Sequence, residues 1–585
     1  MCTKDDYLAA VLAGRAYLVF DGAMGTMLQA AGLEAGAVPE LLNTAHPEDI
    51  QAIHAAYLAG GAQVVTTNTF GANALKLQGA ATVGQVFAAG VHNARAAGAR
   101  YVAADIGPIG ALLKPLGTMT FDEAYDLFAE QVVAAAAAGA DIILIETMAD
   151  LLEMKAAVLA AKENCDLPIF ATMTFGEDGR TFLGTSPRVA ALTLSALGVS
   201  ALGVNCSLGP QELAPIVRTL CEVATCPVMV QANAGLPKIV EGKTSYDISP
   251  AAYAEALEPL LVAGASIVGG CCGTTPAYIE KIAALVAGRC VPTRKVVPAF
   301  SITSAQNAVV LPRDASPIAV VGERINPTGR KRLANALRQG DIAYLINEAL
   351  DQTEAGADIL DVNVGLPEID EAATLVQVIE ALAAVTPLPL QIDSADPVAI
   401  EAAVRCYAGK PLVNSVNGKA ASLETVLPLV AHYGCAVVGL TLDEGGIPAT
   451  AEERFAIAQR IVVAAEGYGI ARSDVVIDCL TMSAATNQDE VLEILHCITL
   501  VKQRLGCKTM LGVSNVSFGL PARPLVNATF LAAALGAGLD LPILNPLQPR
   551  YRDVTESFRV LNAQDPRAQS YIKTFAPTTP PPHKK

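Results

Sequence analysis

One phrase recurs along this chain and restricts its fold more than any other feature. An Ala-rich, helix-compatible stretch ends in Gly-Ala, and four or five apolar residues then run into a polar cluster. The instances are LAGGAQVVTTNTF (58–70), AAGADIILIETM (137–148), LVAGASIVGGCC (261–272) and EAGADILDVNVG (354–365). Glycine just past a helix end supplies a left-handed cap, and the short apolar run that follows reads as a strand buried on both faces. Each copy is an α-to-β joint, and a chain assembled from such joints folds around parallel sheet.

Parallel sheet is either doubly wound or closed into a barrel, and the polar residues favour closure, because barrel sites are built at the C-terminal ends of successive strands. In the first half these ends carry Asp21, Thr67-Asn68, Asp105, Glu146, Thr172, Asn205-Cys206, Gln231 and Cys271-Cys272. Eight ends within about 280 residues match one barrel. A second series carries Glu323, Asp361 with Asn363, Asp393, Asn414, Thr441, Asp478, Asn515 and Asn545. The expected fold is therefore α/β, two tandem (β/α)₈ TIM barrels spanning 1–295 and 317–575. Between them, 296–316 gains Pro, Ser and charge and reads as a linker, and 576–585 is a Pro-rich tail.

Charge narrows the function. A net charge of −17 with no run of Lys or Arg argues against nucleic-acid and anionic-membrane partners. The first twenty residues, broken by Asp5, Asp6 and Arg15, do not read as a targeting segment, and a cytoplasmic protein is expected. Thirteen dispersed cysteines lack a disulfide framework and fit a reducing compartment. Ten of them read as small buried hydrophobes or surface thiols.

The other three stand at strand ends. Cys206 closes ALGVNCS (201–207), and Cys271-Cys272 close SIVGGCCGT (266–274). In a barrel these positions converge above one mouth, and three thiolates leaving a fourth position open are the ligand set of a catalytic zinc. Gly269, Gly270 and Gly273 around the pair give its backbone room to turn both thiols toward one ion. A disulfide between adjacent cysteines is disfavoured by strain.

DGAMGTMLQ (21–29), TTNTFGAN (66–73), DIGPIG (105–110), IETM (145–148), GVNCS (203–207) and GGCCGTTP (269–276) resemble the motifs of the homocysteine S-methyltransferase family. The resemblance implies that Cys206, Cys271 and Cys272 hold Zn²⁺ with the substrate thiol as fourth ligand. It further implies that Asp21 and Glu146 hold the amino group of homocysteine, that amides of the DGAMGT turn hold its carboxylate, and that Thr67 and Asn68 line the pocket. For Asp21 alone, a turn residue before Gly22 is the competing reading.

VGERINPTGR (321–330), ADILDVNVG (357–365), LPLQIDSADP (388–397), LVNSVNG (412–418), VVIDCL (475–480) and GVSNVSFGLPAR (512–523) resemble the pterin-binding domain of folate-dependent methyltransferases. A ring of Asp and Asn complements the alternating donors and acceptors of a pterin edge. The resemblance places Glu323, Asn326, Asp361, Asn363, Asp393, Asn414, Asp478 and Asn515 around a 5-methyltetrahydrofolate. It also puts Arg523 at the glutamate end and Asn515, Asp478 and Asp393 in the chemistry. Dihydropteroate synthases share several of these positions, and a structural Glu323–Arg324 ion pair is the competing reading there.

A homocysteine barrel followed by a folate barrel resembles the N-terminal half of the cobalamin-dependent methionine synthases. That family's cobalamin-ligating Asp-x-His-x-x-Gly motif is absent, since none of the histidines at 46, 54, 92, 432, 496 and 583 follows an Asp by two residues. A corrinoid on a separate domain or protein is then the expected partner. The alternatives are direct methylation of homocysteine from betaine or S-methylmethionine, and a homocysteine or folate binding module without turnover.

Overall fold

The computed structural model describes residues 4–33, 36–236, 238–240, 243–313 and 317–576, so most of the Pro-rich tail expected at 576–585 lies outside the described residues. The chain divides into two compact units, 1–297 and 298–585.

In the first unit the strands are β1 (Leu18–Val19), β2 (Val64–Thr66), β3 (Tyr101–Ile106), β4 (Ile142–Met148), β5 (Ile169–Met173), β6 (Ala201–Asn205) and β7 (Val228–Ala232). A small antiparallel hairpin, β8 (Lys238–Val240) and β9 (Lys243–Ser245), precedes β10 (Ala265–Gly270). Eight of them form one parallel sheet in the order β1-β10-β7-β6-β5-β4-β3-β2. A bridge from Phe20 to Val64 brings β1 round to β2 and closes the ring.

The Gly-Ala joints behave as the pattern requires. Gly61, Gly139, Gly264 and Gly356 all adopt left-handed backbone, with φ of 99°, 84°, 113° and 89°. A side chain there would be strained, so the helix stops and the next strand starts in register. At the opposite helix ends the sequence supplies caps. Thr120 and Glu123 close a full capping box on the helix Phe121–Ala138, and Ser249 caps Pro250–Ala263.

The N-terminal end of this barrel is filled by Leu18, Phe20, Tyr101, Ile142, Phe170, Met229 and Ile267. Tyr7, Leu8 and Leu12 of the helix Lys4–Leu12 pack against that cluster. With this end plugged by apolar side chains, the open end is the one where the strands finish.

The second unit holds β13 (Val321–Ile325), β14 (Ile359–Val362), β15 (Leu390–Asp393), β16 (Leu412–Asn417), β17 (Ala436–Leu440), β18 (Val475–Asp478), β19 (Lys508–Gly512) and β20 (Leu541–Leu544). All pair parallel with their sequence neighbours, and β20 returns to β13, so the barrel is closed. Both halves are thus (β/α)₈ barrels.

The stretch 296–316 is not a free linker. It contains the antiparallel hairpin β11 (Ala299–Thr303) and β12 (Ala308–Pro312), whose Phe300, Ile302 and Leu311 are buried against Val321, Ile359, Leu412, Val476 and Leu541 of the second barrel. The hairpin does for this barrel what the N-terminal helix does for the first. Alternation of apolar residues in AFSIT and AVVLP carries it, and the flanking prolines and charges mask that alternation in the sequence. Among the described residues, no helix is long and apolar enough to cross a membrane.

Candidate functional site

The three cysteines expected to converge do so. The Sγ atoms of Cys206, Cys271 and Cys272 all lie within 4.8 Å of one another, with Cys206 and Cys272 3.8 Å apart. Among the described residues no other three Cys, His, Asp or Glu side chains bring ligand atoms this close, and the twelve described cysteines are all free thiols.

Local backbone explains the convergence. Cys206 and Ser207 both take left-handed φ, 62° and 59°, which turns the chain sharply as it leaves β6. Cys206 N donates to Gln231 O, and Cys271 N donates to Ala232 O, so both thiol-bearing turns hang from the end of β7. The glycines before the pair serve close packing more than bending. A Cβ on Gly269 would sit 2.8 Å from Phe20 Cβ, and one on Gly270 would sit 2.3 Å from Thr274 Oγ1. Gly273 is the one that bends, with φ of 82° and the Tyr246 ring where its side chain would be.

The residues fit a zinc ion. Tetrahedral coordination with Zn–S near 2.3 Å puts sulfurs roughly 3.8 Å apart, which is the separation of Cys206 and Cys272. Hydrogen bonds from its two neighbours and burial push the Cys271 thiol up, while the same contacts with Cys206 and Cys271 pull Cys272 down.

These thiols open on a cavity of about 370 Å³ lined also by Asp21, Glu40, Thr67, Asn68, Asp105, Glu146, Gln231 and Tyr246. Four carboxyl groups face one small volume. Burial pushes Asp21 up to about 7 although Thr66 N and Oγ1 each donate to it at 2.8 Å. Burial, then Cys206 and Asp21, push Glu146 up to about 8. Asp105 is raised by burial and by Glu146, Asp21 and Glu40. Asp105 Oδ1 and Gln231 Oε1 are buried acceptors with no partner within the protein. A ligand carrying N–H donors and positive charge would satisfy all of them.

Thr67 and Asn68 line this cavity but also hold it together. Thr67 Oγ1 contacts Thr69 Oγ1 at 2.7 Å and accepts from Asp105 N, and Asn68 Nδ2 donates to Pro39 O. The motif reading did not select Glu40, Asp105, Gln231, Asn205 or Tyr246 as site residues. Asp105, Asn205 and Gln231 were visible as strand-end polar residues, whereas Glu40 arrives from the short 3-10 turn Pro39–Leu41, which has no motif of its own.

In the second barrel, Asp361 is buried and accepts from Gln391 Nε2 at 2.6 Å. Burial and Asp393 raise it, against hydrogen bonds from Gln391 and Asn414. Burial pushes Asp393 up to about 6 against a hydrogen bond from Asn363. Asp478, pushed up to about 7 by burial, accepts from Leu480 N at 2.7 Å. Glu323 accepts from Ser514 Oγ at 3.0 Å and feels the charge of Arg523, whose guanidinium lies 4.7 Å over the Phe518 ring.

Glu323, Asp361, Asn363, Asp393 and Asn414 are thus linked through contacts across neighbouring strands, with Ser514 and Arg523 joined to Glu323. Asn326 and Asn515 stand apart. Asn326 Oδ1 closes a local turn on Thr328 N, and Asn515 is the exposed residue of a short helical turn, Val513–Ser517, whose Val513, Val516 and Ser517 are buried. Glu323 and Arg324 do not pair, because successive residues of a strand face opposite sides. Arg324 turns outward to Glu348, 2.6 Å away.

Comparison with known proteins divides at the same place as the fold. Residues 18–286 match the family model of homocysteine S-methyltransferases, and residues 322–545 match that of pterin binding enzymes. The methionine synthase of Mycobacterium tuberculosis is 36% identical over 579 residues, and that of Mycobacterium leprae 35% over 585. Each alignment covers 92% of this chain and 48% of the relative, so the chain spans about half the length of these proteins. Among solved structures, the apo form of the homocysteine methyltransferase MmuM from Escherichia coli is 26% identical, covering 48% of this chain and 99% of that one, with a TM-score of 0.39.

Proposed function

We propose, for a chain that carries a homocysteine S-methyltransferase domain followed by a pterin-binding domain, that it makes methionine from homocysteine with 5-methyltetrahydrofolate as methyl source. The methyl group passes through a cobalamin carrier held on another domain or protein. The observation that carries this reading is the convergence of Cys206, Cys271 and Cys272 on a cavity walled by carboxyl groups.

The three thiols would hold Zn²⁺, which when bound lowers the pKa of a coordinated substrate thiol so that it reacts as a thiolate. The remaining work belongs to the protein. Asp21 and Glu146, unpaired with any cation and raised by burial, receive the ammonium of homocysteine and return to their charged forms beside it. Amides of the turn at 22–26 receive the carboxylate. Thr67 and Asn68 hold the wall against which the side chain extends.

In the second barrel Asp361, Asn363, Asp393 and Asn414 meet the pterin edge, Glu323 and Asn326 border it, and Arg523 takes the anionic glutamate. Loss of a methyl group from a tertiary amine nitrogen needs a proton or hydrogen bond at that nitrogen. Asp393 and Asp478, raised toward neutrality, can hold a proton near pH 7, and Asn515 offers an amide at the mouth.

Two half-reactions test this. Zinc-loaded protein is mixed with homocysteine and methylcobalamin, and separately 5-methyltetrahydrofolate with cob(I)alamin. Turnover in both supports the proposal. Methionine from betaine or S-methylmethionine alone assigns direct transfer, and binding without turnover in either assay assigns a ligand-binding module.

A further inference from the structure

The three sulfurs of the thiol triad are not equivalent in what surrounds them. Asn205, fully buried at the end of β6, has every polar position spoken for. Its Oδ1 accepts from Thr147 N and from Thr172 Oγ1, both at 2.8 Å. Its Nδ2 donates to Thr147 Oγ1 at 2.7 Å and to Cys271 Sγ at 4.0 Å. An amide flipped end for end would set N–H against the Thr147 N–H, so the orientation is fixed and a hydrogen always faces Cys271. Thr147 reaches this position through a left-handed φ of 62°.

Cys272 has a donor of a different kind. Tyr246, which follows β9, lines the same cavity, and its ring occupies the space left empty by Gly273, with ring atoms 2.3–2.9 Å from where a Cβ would stand. From there Tyr246 stands beside Cys272, the residue before Gly273, in the wall of the same cavity, with its hydroxyl near enough to act on that thiol. Cys206 lies among the other two thiols and near the Glu146 carboxyl, which it helps to raise.

We propose that Asn205 and Tyr246 are positioning residues that give one hydrogen bond each to the sulfurs of Cys271 and Cys272, and thereby set how much charge those ligands donate to a bound metal. The inference rests on the zinc reading of the triad. Three thiolates on Zn²⁺ leave a net charge of −1, and each thiolate that accepts a hydrogen bond donates less to the metal. The metal then stays acidic enough to deprotonate a fourth, substrate thiol. Partners of this kind change metal affinity or activity by about 10–100-fold in other metal sites.

The test is Tyr246→Phe, which removes one hydroxyl and keeps the ring against Gly273. Zinc content is measured first on the parent protein, then zinc affinity by chelator competition on both. Cobalt(II) replaces zinc for the absorption spectrum, and homocysteine binding is followed against pH. Tyr246→Phe is expected to bind one zinc with about tenfold weaker affinity near neutral pH, because without the hydroxyl the Cys272 thiolate is harder to form and protons compete better with the metal. Its sulfur-to-cobalt charge-transfer band should move to lower energy, and the pH midpoint of homocysteine binding should move upward. Asn205→Asp, which turns a donor facing Cys271 into a carboxylate, is expected to weaken zinc further. If the parent protein binds no zinc, the metal reading itself fails. If the parent binds zinc and Tyr246→Phe leaves affinity, band and pH midpoint where they were, the second inference is overturned and the first stands.

Discussion

The Sγ atoms of Cys206 and Cys272 lie 3.8 Å apart although 66 residues separate them in the chain. Nothing local enforces that distance. It follows from β6, β7 and β10 lying side by side in one ring, with both cysteine turns hydrogen-bonded to the end of β7. Removing one thiol should therefore abolish the proposed metal site without unfolding the barrel.

Cys272→Ser is the cleanest such change, since the side chain keeps its size and Cys272 is only partly buried. The variant is expected to lose zinc and homocysteine methylation by at least about a hundredfold. Demethylation of 5-methyltetrahydrofolate by cob(I)alamin should remain at the parent rate, because Glu323, Asp361 and Asp393 belong to a separate barrel. Metal analysis and the two half-reactions decide the matter, and a fall in both rates in folded protein would show that the sites are not independent.

Asp393→Ala makes the reciprocal case. Asp393 ends β15 and accepts a hydrogen bond from Asn363, so its loss removes an acceptor that the proposed function turns toward the pterin and frees the neighbouring amide. Affinity for 5-methyltetrahydrofolate should fall by about 1–3 kcal/mol, roughly five- to 150-fold. Zinc content and homocysteine binding should not change. Calorimetric titration of each ligand against the same preparation reads both.

Asp478 ties stability to pH. Burial raises its carboxyl from 3.8 to about 7 in the folded protein. A carboxyl whose folded pKa is raised contributes stability that is fully present below its unfolded value and is lost as pH rises through the folded one. The second barrel should therefore weaken between about pH 4 and pH 7, by an amount on the order of a few kcal/mol. Asp478→Asn keeps the shape and removes the titration, so it is expected to be more stable than the parent at pH 8 and no more stable at pH 4. Thermal melts at the two pH values check this, and a pH-independent difference would refute the assignment.

How much of this could be read before any coordinates depends on whether the signal was local. The Gly-Ala joints are local, and Gly61, Gly139, Gly264 and Gly356 are left-handed because a helix must end there. The cysteine triad was legible because strand ends of one barrel share a mouth. Glu40 was not, since its carboxyl enters the cavity from the short 3-10 turn Pro39–Leu41, away from any strand end, and Gly71 N, 2.6 Å away, is its anchor. Nor was the opposite facing of Glu323 and Arg324, which requires knowing that Glu348 of a neighbouring helix waits outside the sheet. Asn205 looked like a companion of Cys206, and only the placement of Thr147 and Thr172 shows what its amide does.

The hairpin β11–β12 yields the last expectation, because composition alone assigned those residues to a linker. Phe300 is 1% exposed and belongs to the cluster that seals the N-terminal end of the second barrel, together with Val321, Leu412, Val476 and Leu541. A true linker would tolerate Phe300→Ala with no effect on stability, whereas a plug residue leaves a cavity at the centre of the barrel floor. Truncating a buried Phe costs about 3–5 kcal/mol. Phe300→Ala should therefore lower the denaturant midpoint of the second unit, with the slope of the transition unchanged because the same surface is exposed on unfolding. The first unit, plugged by its own N-terminal helix, should unfold at the parent midpoint, which separates a local loss of packing from general misfolding.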